Sequence, residues 1–396
     1  MKTYKYIIIG GGMTGAAAVM GLRENDPDGS IAVFSKEEFP PYARPPLSKG
    51  LWAGKDEKGI FRQLDELDID LILGTTIDAL SPEEKLVSTA DGEPYSYQKL
   101  LLATGGDARH IPGAPEGVIY YRTLADYHKL KDETQQKDDF CIIGGGFIGS
   151  ELAAALSSNH KQVTMFFPEK GLSGTIFPDD LAETMAQYYR DKGVNVLSSH
   201  LVDAIEKEGN KFKVKYRNMK NNKAGETSFD AVVAGIGIVP NTGLAQAAGI
   251  PVDNGIIVDK YLQTDHKDIY AAGDVANFVH IPLGVRMRLE HANNAHQMGL
   301  RAGKNMSGEM QPYDDFPYFY SDLFDMGYEA IGETNKNFEI FEDWIDPFKK
   351  GTIFYLNEGR IRGLIFWNLW DKVEQGKEVI SSGQVFHKAD LLGLFR

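Results

Sequence analysis

The sequence predicts an α/β protein with two Rossmann-like dinucleotide-binding domains, followed by a C-terminal α+β domain. An apolar run before Gly10 leads into a glycine-rich turn and then into a segment with helical spacing. The same succession of strand, turn and helix returns at Gly144, which lies 134 residues after Gly10. The last eighty residues are rich in aromatic side chains and have the pattern of strands, so we assign them to a separate domain.

The first glycine turn follows the apolar, largely β-branched run Tyr6–Ile9 and precedes an Ala/Val/Leu-rich helical segment. Within Gly10–Gly15, the first glycine forms the turn, Gly12 lets the backbone approach a pyrophosphate, and the third glycine lets helix pack closely on strand. The helix N-terminus offers unpaired N–H groups to the phosphates. An acid that binds a ribose is expected about 20 residues further on, and Glu37 lies slightly beyond the end of the next predicted strand.

The second glycine turn repeats this pattern. Phe140–Ile143 has the pattern of a buried strand, Gly144–Gly149 forms the turn, and a helix and the strand Gln162–Phe167 follow. Glu169 lies 20 residues beyond Gly149, which is the position expected for a ribose-binding acid. Two complete fingerprints in one chain predict two nucleotide ligands.

Composition disfavours several classes of partner. The chain has 396 residues, 42% hydrophobic and 25% charged, which is typical of a globular protein with a large core. A net charge of −14 disfavours nucleic acid or an anionic membrane as a partner. No apolar run approaches the roughly 20 residues that span a bilayer. Because the first strand begins almost at once, we expect no targeting segment and a cytoplasmic protein.

The single cysteine, Cys141, lies in an apolar run, so we expect a buried and unreactive thiol. One cysteine cannot form a dithiol relay, which removes that chemistry from the mechanism. The nine histidines show no metal-ligand spacing, since His291 and His296 would point in different directions on a helix. We therefore predict no metal site.

Two further stretches carry candidate binding residues. Four prolines stiffen the segment from Pro40 to Lys49 and hold Arg44 and Lys49 in set positions, although taken alone the segment has the pattern of a rigid surface loop with solvated cations. The segment that begins at Asp268 is apolar from Ile269 and ends on Asp274 at a predicted strand end. A carboxylate there suits a polyhydroxyl chain such as ribitol.

Taken in order, six motifs resemble the flavoproteins that bind two dinucleotides on glutathione-reductase-type folds, one holding FAD and the other NAD(P)H. The motifs are GGGMTG, RPPLSK, LLLATGG, GGGFIGSELA, AGIGIVPN and IYAAGDVA. RPPLSK and the lack of paired cysteines resemble the ferredoxin-reductase branch. This resemblance implies an FAD-binding domain at residues 1–117 and 241–316, an NAD-binding domain at 118–240, and a C-terminal domain at 317–396.

A narrower resemblance is to the apoptosis-inducing factor group. It is carried by FPEKG, RLEH, GYEAIG and FWN, the last two of which lie in the C-terminal domain. The chain departs from that group at Tyr320, where a tryptophan is expected, at Thr175, where a lysine is expected, and at Asp126, where an arginine is expected. Only a short segment lies between Glu333 and Gly351, where the group can carry a long insertion, so an apoptotic role is not expected.

The resemblance implies site residues for both cofactors. The FAD contacts are Gly10, Gly12, Thr14, Gly15, Glu37, Arg44, Lys49, Ile77, Thr104, Gly105, Asp274 and Tyr320. The NADH contacts are Gly144, Gly146, Phe147, Gly149, Glu169, Gly237, Glu290, His291, Glu329 and Asn368.

Three residues are implied in catalysis. Lys49 would stabilise negative charge on the flavin, and Glu151 would pair with Lys49. His291 would position the carboxamide or balance charge, or would have only a structural role at the start of a helix.

Two classes of function remain open at the level of sequence. In the first, the protein is an FAD-dependent NADH:acceptor oxidoreductase, with a ferredoxin, a quinone or a small oxidant as the acceptor. In the second, it is a redox-gated binding protein, in which reduction by NADH controls conformation or formation of a homodimer. Glu169 predicts NADH rather than NADPH as the coenzyme in either class.

Overall fold

A computed structural model describes all residues from Met1 to Arg396. The helices are α1 Met13–Asn25, α2 Leu124–Gln136, α3 Phe147–Ser158, α4 Asp179–Asp191, α5 Gly243–Ala247, α6 Ala292–Met306, α7 Val373–Ser381 and α8 Lys388–Leu391. Three short 3-10 segments cover Pro45–Ser48, Glu57–Ile60 and Gly273–Val275. None of these helices combines the length and the hydropathy that a membrane-spanning segment requires.

The strands of the first half, in chain order, are β1 Lys2–Ile9, β2 Ile31–Phe34, β3 Asp70–Ile72, β4 Ile77–Ser81, β5 Leu86–Thr89, β6 Pro94–Leu102, β7 Gly106–Ala108, β8 Ile119–Tyr120, β9 Asp139–Ile143, β10 Gln162–Phe167, β11 Asn195–Ser198 and β12 His200–Glu208. The strands of the second half are β13 Lys211–Asn218, β14 Ala224–Phe229, β15 Ala231–Ala234, β16 Ile238–Pro240, β17 Ile256–Ile257, β18 Ile269–Ala271, β19 Ala276–His280, β20 Val285–Met287, β21 Tyr318–Leu323, β22 Met326–Gly332, β23 Glu339–Asp346, β24 Lys350–Asn357 and β25 Arg360–Trp367.

The chain forms two compact units. The first comprises Met1–Arg44, Glu57–Asp107 and Val239–Phe319, and the second comprises Pro45–Asp56, Ala108–Ile238 and Tyr320–Arg396. The residues assigned from sequence to the NAD-binding and C-terminal domains therefore lie mostly in one unit. The division into three domains by ligand stays a prediction.

In the first unit, the chain builds a sheet in the order β3-β2-β1-β6-β5-β4. β1 pairs in parallel with β2 and β6, and both faces are covered, which explains why its second half is a continuous apolar run. β6 changes partner along its length: its start pairs with β5, and its end pairs in parallel with β18. This end of β6 leads towards the first glycine turn, where the site residues of the unit gather.

Glycines let helices α1 and α6 lie very close together in this unit. A Cβ atom at Gly299 would lie 2.3 Å from the carbonyl oxygen of Thr14, and one at Gly303 would lie 2.2 Å from that of Ala18. Neither position tolerates a side chain at this separation. The close packing fixes the start of α1, which follows the first glycine turn.

The second unit contains a parallel sheet in the order β11-β10-β9-β15-β8 and a three-stranded antiparallel sheet, β12-β13-β14. A further sheet has the order β21-β22-β25-β24-β23, in which β22 pairs with β25, β25 with β24 and β24 with β23, all antiparallel; α7 and α8 follow in sequence. These sheets confirm the predicted α/β class with Rossmann-like parts and a C-terminal domain.

Most predicted elements are present, with shifted ends. β10 has the predicted bounds, whereas β9 begins at Asp139, one residue before the predicted start. A capping box between Thr123 and Asp126 begins α2, and this arrangement satisfies two N–H groups at once. Cys141 is buried in β9, and burial raises the pKa of its thiol, so the prediction of a buried thiol is confirmed.

Candidate functional site

The first glycine turn has three glycines with different surroundings. Gly10 has a φ of +124°, and a Cβ atom there would lie 2.1 Å from the carbonyl oxygen of Ala103. A Cβ atom at Gly15 would lie 2.0 Å from the carbonyl oxygen of Gly10. At Gly12, by contrast, an added Cβ would meet no atom within 4 Å, and the φ of −90° is open to any residue. The packing of the protein therefore explains the first and third glycines but not the second.

The second glycine turn reproduces these surroundings. Gly144 has a φ of +114° and would place a Cβ atom 2.3 Å from the carbonyl oxygen of Gly235. A Cβ atom at Gly149 would lie 2.1 Å from the carbonyl oxygen of Gly144, whereas one at Gly146 would meet nothing within 4 Å. Both turns thus keep an open side at their second glycine.

Each open glycine is also the N-cap of a helix. Gly12 precedes α1 and Gly146 precedes α3, and neither helix has a side-chain cap. The first N–H groups of both helices are therefore available to an outside acceptor. An open cradle in front of uncapped N–H groups fits a pyrophosphate, so the residues present suit a dinucleotide at each turn.

Alanine at Gly144 is expected to reduce stability, whereas alanine at Gly146 is expected to reduce NADH binding. Gly144→Ala should lower the thermal unfolding temperature, because the positive φ alone costs about 1–3 kcal/mol and the Cβ contacts a backbone oxygen. Gly146→Ala should leave that temperature nearly unchanged but weaken NADH binding. Thermal unfolding without nucleotide and titration with NADH measure the two effects. Loss of stability without loss of NADH affinity in Gly146→Ala would contradict the assignment.

Asp274 follows Gly273, which packs against the start of α1. The 3-10 segment Gly273–Val275 holds it, and Gly273 has a φ of +78° and lies directly against Thr14, where a Cβ atom would be 2.2 Å from Oγ1. The Asp274 carbonyl accepts a hydrogen bond of 3.0 Å from Arg288, so the backbone of this aspartate is fixed. The residue before Asp274 therefore packs on Thr14, another predicted FAD residue.

Glu37 and Arg44 form a second group in the same unit. Glu37 accepts hydrogen bonds from Arg44 at 2.8 Å and from the Tyr42 hydroxyl at 2.5 Å, and the Arg44 guanidinium lies over the Tyr42 ring. Both charged side chains are partly buried. The proline-rich segment thus does not leave Arg44 as a solvated cation, since it pairs with the predicted ribose acid.

Three predicted FAD residues have structural roles in the unit. Ile77 is buried in β4 and belongs to the core. The Thr104 hydroxyl donates to the carbonyl oxygen of Asn241 at 2.8 Å, and the Asn241 side chain returns a bond of 3.1 Å to Thr104. Gly105 accepts from the Asn241 N–H and has a φ of +62°. Thr104 and Gly105 therefore hold the chain after β6.

His291 is the N-cap residue of α6, and the ring lies 4.4 Å from the Phe319 ring, centroid to centroid. Its Nδ1 atom is shielded from solvent and has no hydrogen-bond partner. Burial lowers the pKa of His291 to about 4, although the negative charge of Asp274 acts in the opposite direction. The imidazole is therefore neutral at pH 7, which disfavours a role as a balancing cation. The neighbouring Glu290 is exposed and pairs with Arg288 at 2.8 Å.

Lys49 and Glu151 form an ion pair in the second unit, with 3.2 Å between Lys49 Nζ and Glu151 Oε1. Glu151 is 6% exposed and accepts two further hydrogen bonds, from Ser48 at 2.5 Å and from Ser321 at 2.7 Å. The pair implied by the resemblance is thus present, with α3 supplying the glutamate. Ser48 and Ser321 were not predicted, because nothing in their local sequence marks a glutamate partner.

Tyr320 lies next to this pair and belongs to β21. Lys49 Nζ lies 4.5 Å from the centroid of its ring and 4.0 Å from the carboxylate of Asp322. The Tyr320 side chain is 46% exposed. The lysine is thus held between one buried carboxylate, one exposed carboxylate and an aromatic face.

The segment that carries Lys49 is anchored at Leu47. The Leu47 carbonyl accepts hydrogen bonds from the Tyr121 hydroxyl at 2.5 Å and from Trp52 Nε1 at 2.8 Å. Leu47, Trp52 and Tyr121 are buried. These contacts fix the backbone two residues before Lys49, so the ammonium lies in a defined place.

Glu169 lies just after β10, beside the second turn. Its carboxylate makes no hydrogen bond or ion pair with the protein, while its carbonyl accepts from the Ser199 N–H at 2.8 Å. The loop after β10 is hydrogen-bonded to the second glycine turn, since the Ser173 N–H donates to the Gly145 carbonyl at 2.8 Å. An acid with an unengaged carboxylate is thus held near the phosphate cradle, as a ribose acceptor must be.

Comparison with known proteins agrees with this geometry. The family model described as pyridine nucleotide-disulphide oxidoreductase matches residues 4–299. The chain belongs to this family. Its members use FAD and NAD(P)H, which fits the two open turns.

Two curated relatives and one solved structure are similar over nearly the whole chain. Mitochondrial apoptosis-inducing factor 1 of Dictyostelium discoideum is 33% identical, over 96% of this chain and 79% of the relative. The ferredoxin reductase subunit of the 5,5'-dehydrodivanillate O-demethylase of Sphingobium sp. is 32% identical, over 97% and 94%. The reductase in the covalent putidaredoxin reductase–putidaredoxin complex superposes with a TM-score of 0.90 at 26% identity, over 100% and 96%.

Other residues assigned to NADH in this pyridine nucleotide oxidoreductase have mixed surroundings. Phe147 is the first residue of α3, and Gly237 has a φ of +88° with open space around its Cβ position. Glu329 lies in β22, with Oε2 buried. Asn368 accepts from the Gly327 N–H and donates to the Lys349 carbonyl, both at 2.8 Å. The Asn368 amide is thus hydrogen-bonded to the protein backbone, and its contact with the nicotinamide stays a prediction.

Within this family member, the unusual Asp126 also has a structural explanation. Its carboxylate accepts from the N–H groups of Arg122 at 3.0 Å and Thr123 at 2.7 Å. An arginine could not accept these bonds, so Asp126 serves to begin α2. Nothing in the structure explains Thr175.

Proposed function

We propose that this protein is an FAD-dependent oxidoreductase that takes electrons from NADH and passes them to a separate acceptor. The observation that carries the proposal is the pair of glycine turns, each with an open second glycine before an uncapped helix. Membership of the family supports the same assignment. In this proposal the turn at Gly12 binds FAD, and the turn at Gly146 binds NADH.

FAD bound at the first turn would supply the redox chemistry, which is hydride acceptance from the nicotinamide and electron transfer to an acceptor. The residues of this chain bind, orient and balance charge. Asp274 accepts hydrogen bonds from the ribitol hydroxyls, and Glu37, held by Arg44, accepts from the ribose. Lys49 stabilises the negative charge that arrives on the flavin, and Glu151 holds Lys49 in place.

We further propose NADH as the preferred coenzyme. The Glu169 carboxylate has no protein partner, so it is available to accept hydrogen bonds from both hydroxyls of the adenosine ribose. In NADPH one hydroxyl is a phosphate, which loses a bond and brings negative charge close to Glu169. The coenzyme with two hydroxyls is therefore favoured.

The acceptor is a ferredoxin, a quinone or a small oxidant in this proposal. Ferredoxin reductases among the relatives and solved structures favour the first of these. Reduction of disulfides by a thiol pair of the chain is not proposed, because the single cysteine is buried. The alternative of a redox-gated binding protein gains no support from any particular contact, and a homodimer and a cytoplasmic location stay predictions.

The purified protein should be yellow, should release FAD on denaturation, and should lose its colour when NADH is added without oxygen. Steady-state rates with a ferredoxin, a quinone and ferricyanide then identify the class of acceptor. Sedimentation with and without NADH tests the alternative, which requires a change of mass with slow turnover. A protein that stays colourless after incubation with FAD would refute the proposed function.

A further inference from the structure

The loop after β10 places a lysine next to the proposed ribose acid. Glu169 and Lys170 are adjacent in sequence, but their side chains have different surroundings. The Glu169 carboxylate has no protein partner, whereas Lys170 Nζ lies 2.5 Å from Asp179 Oδ2, at the first residue of α4. The cation nearest in sequence to the ribose acid is therefore paired with another carboxylate.

The charges around Asp179 hold Lys170 at α4. The hydrogen bond between the two raises the pKa of Lys170 and lowers the pKa of Asp179, so both are charged at pH 7. Glu183 adds a further negative charge near Lys170. Lys336 lies near the other carboxylate oxygen of Asp179, with 3.7 Å between Nζ and Oδ1. Asp179 thus competes with any anionic ligand near Glu169 for the ammonium of Lys170.

NADPH differs from NADH by a phosphate on the adenosine ribose, and a cation beside the ribose acid accommodates that phosphate. We propose that Asp179 is a specificity-determining residue, which holds the Lys170 ammonium at the start of α4 and so withholds it from the 2′-phosphate of NADPH. This inference rests on the proposed NADH site and adds a second determinant of coenzyme choice beside Glu169.

The backbone around Lys170 is held independently of the ion pair. The Ser199 N–H binds the Glu169 carbonyl, and the Ser173 N–H binds the Gly145 carbonyl, each at 2.8 Å. Loss of the ion pair should therefore release the Lys170 side chain without moving Glu169. Lys170 and Asp179 are 59% and 48% exposed, so water screens their interaction and the effect of releasing Lys170 is about two- to fivefold.

The test compares binding of ADP-ribose with binding of 2′-phospho-ADP-ribose by calorimetry, which requires no turnover. Asp179→Asn should tighten binding of the phosphorylated probe by about two- to fivefold and leave the affinity for ADP-ribose unchanged. Lys170→Ala should change little in the wild type, because the lysine is already withheld. In the Asp179→Asn background, Lys170→Ala should remove the gain in affinity for 2′-phospho-ADP-ribose.

Asp138→Asn provides a matched control. It removes one negative charge and frees Lys161, which lies 2.7 Å from Asp138 at the opposite end of β10. No gain is expected there, because the strand separates the two ends by about 20 Å. The inference is overturned by an equal gain in Asp138→Asn, by no gain in Asp179→Asn, or by a gain that survives Lys170→Ala, which Lys336→Ala would then trace to Lys336 or exclude from it. A wild type that binds neither probe overturns the NADH site itself and the inference with it.

Discussion

The preference for NADH over NADPH is expected to disappear when Glu169 is replaced by alanine. Loss of a hydrogen bond and repulsion between like charges cost a few kcal/mol, so the wild type should prefer NADH by about ten- to a thousandfold in kcat/KM. Glu169→Ala should bring this ratio close to one. The measurement is kcat/KM for both coenzymes, with ferricyanide as the acceptor.

Two variants separate the causes of this preference. Glu169→Gln removes the charge but keeps an oxygen that accepts a hydrogen bond, so it should retain part of the preference. Glu183→Ala removes an exposed carboxylate from α4 and should leave the ratio within about twofold, since exposed charges contribute little. Equal use of both coenzymes by the wild type, or the same ratio in wild type and Glu169→Ala, would refute the role of Glu169.

Reduction of the flavin by NADH is expected to slow by about ten- to a hundredfold in Lys49→Ala. Removal of a preorganised donor that faces developing charge typically costs a hundredfold or more, and the partial exposure of Lys49 reduces that loss. Glu151→Gln should act in the same direction with a smaller effect, because Ser48 and Ser321 still have a hydrogen-bond partner. Stopped-flow absorbance under anaerobic conditions measures the rate.

Asp322→Asn is the matched control for this pair. It also removes a carboxylate near Lys49, but Asp322 lies 4.0 Å away and is 62% exposed. Its effect on the reduction rate should therefore be within about twofold. Unchanged rates in Lys49→Ala and Glu151→Gln, or an equal loss in Asp322→Asn, would show that the buried ion pair does not act on the flavin. The unfolding temperature of each variant shows whether the fold is kept.

Local patterns explain which parts of the fold could be predicted from sequence. A glycine turn is contiguous with the strand before it and the helix after it, so its geometry follows from neighbouring residues. The predicted bounds of β10 are confirmed, and both glycine turns lie at the ends of buried strands.

Contacts between distant segments explain what the sequence did not reveal. Ser48 and Ser321 donate hydrogen bonds to Glu151 across sequence separations of 103 and 170 residues, and no sequence periodicity predicts such contacts. The proline-rich segment taken alone suggested solvated cations, yet Arg44 pairs with Glu37. The Asn368 side chain was assigned to a ligand, although it binds the backbone at Gly327 and Lys349.

The sequence by itself determined the two dinucleotide folds and the exclusion of a dithiol relay, because these depend on adjacent residues or on a count of one residue type, and it predicts Glu37 and Glu169 as the ribose acids. Only the tertiary structure decided that the Glu169 carboxylate is unengaged while Lys170 is paired with Asp179. It also decided that His291 is neutral at pH 7, since burial lowers its pKa to about 4. Side-chain direction and burial depend on packing between segments, and packing energy is not a property of any local stretch of chain.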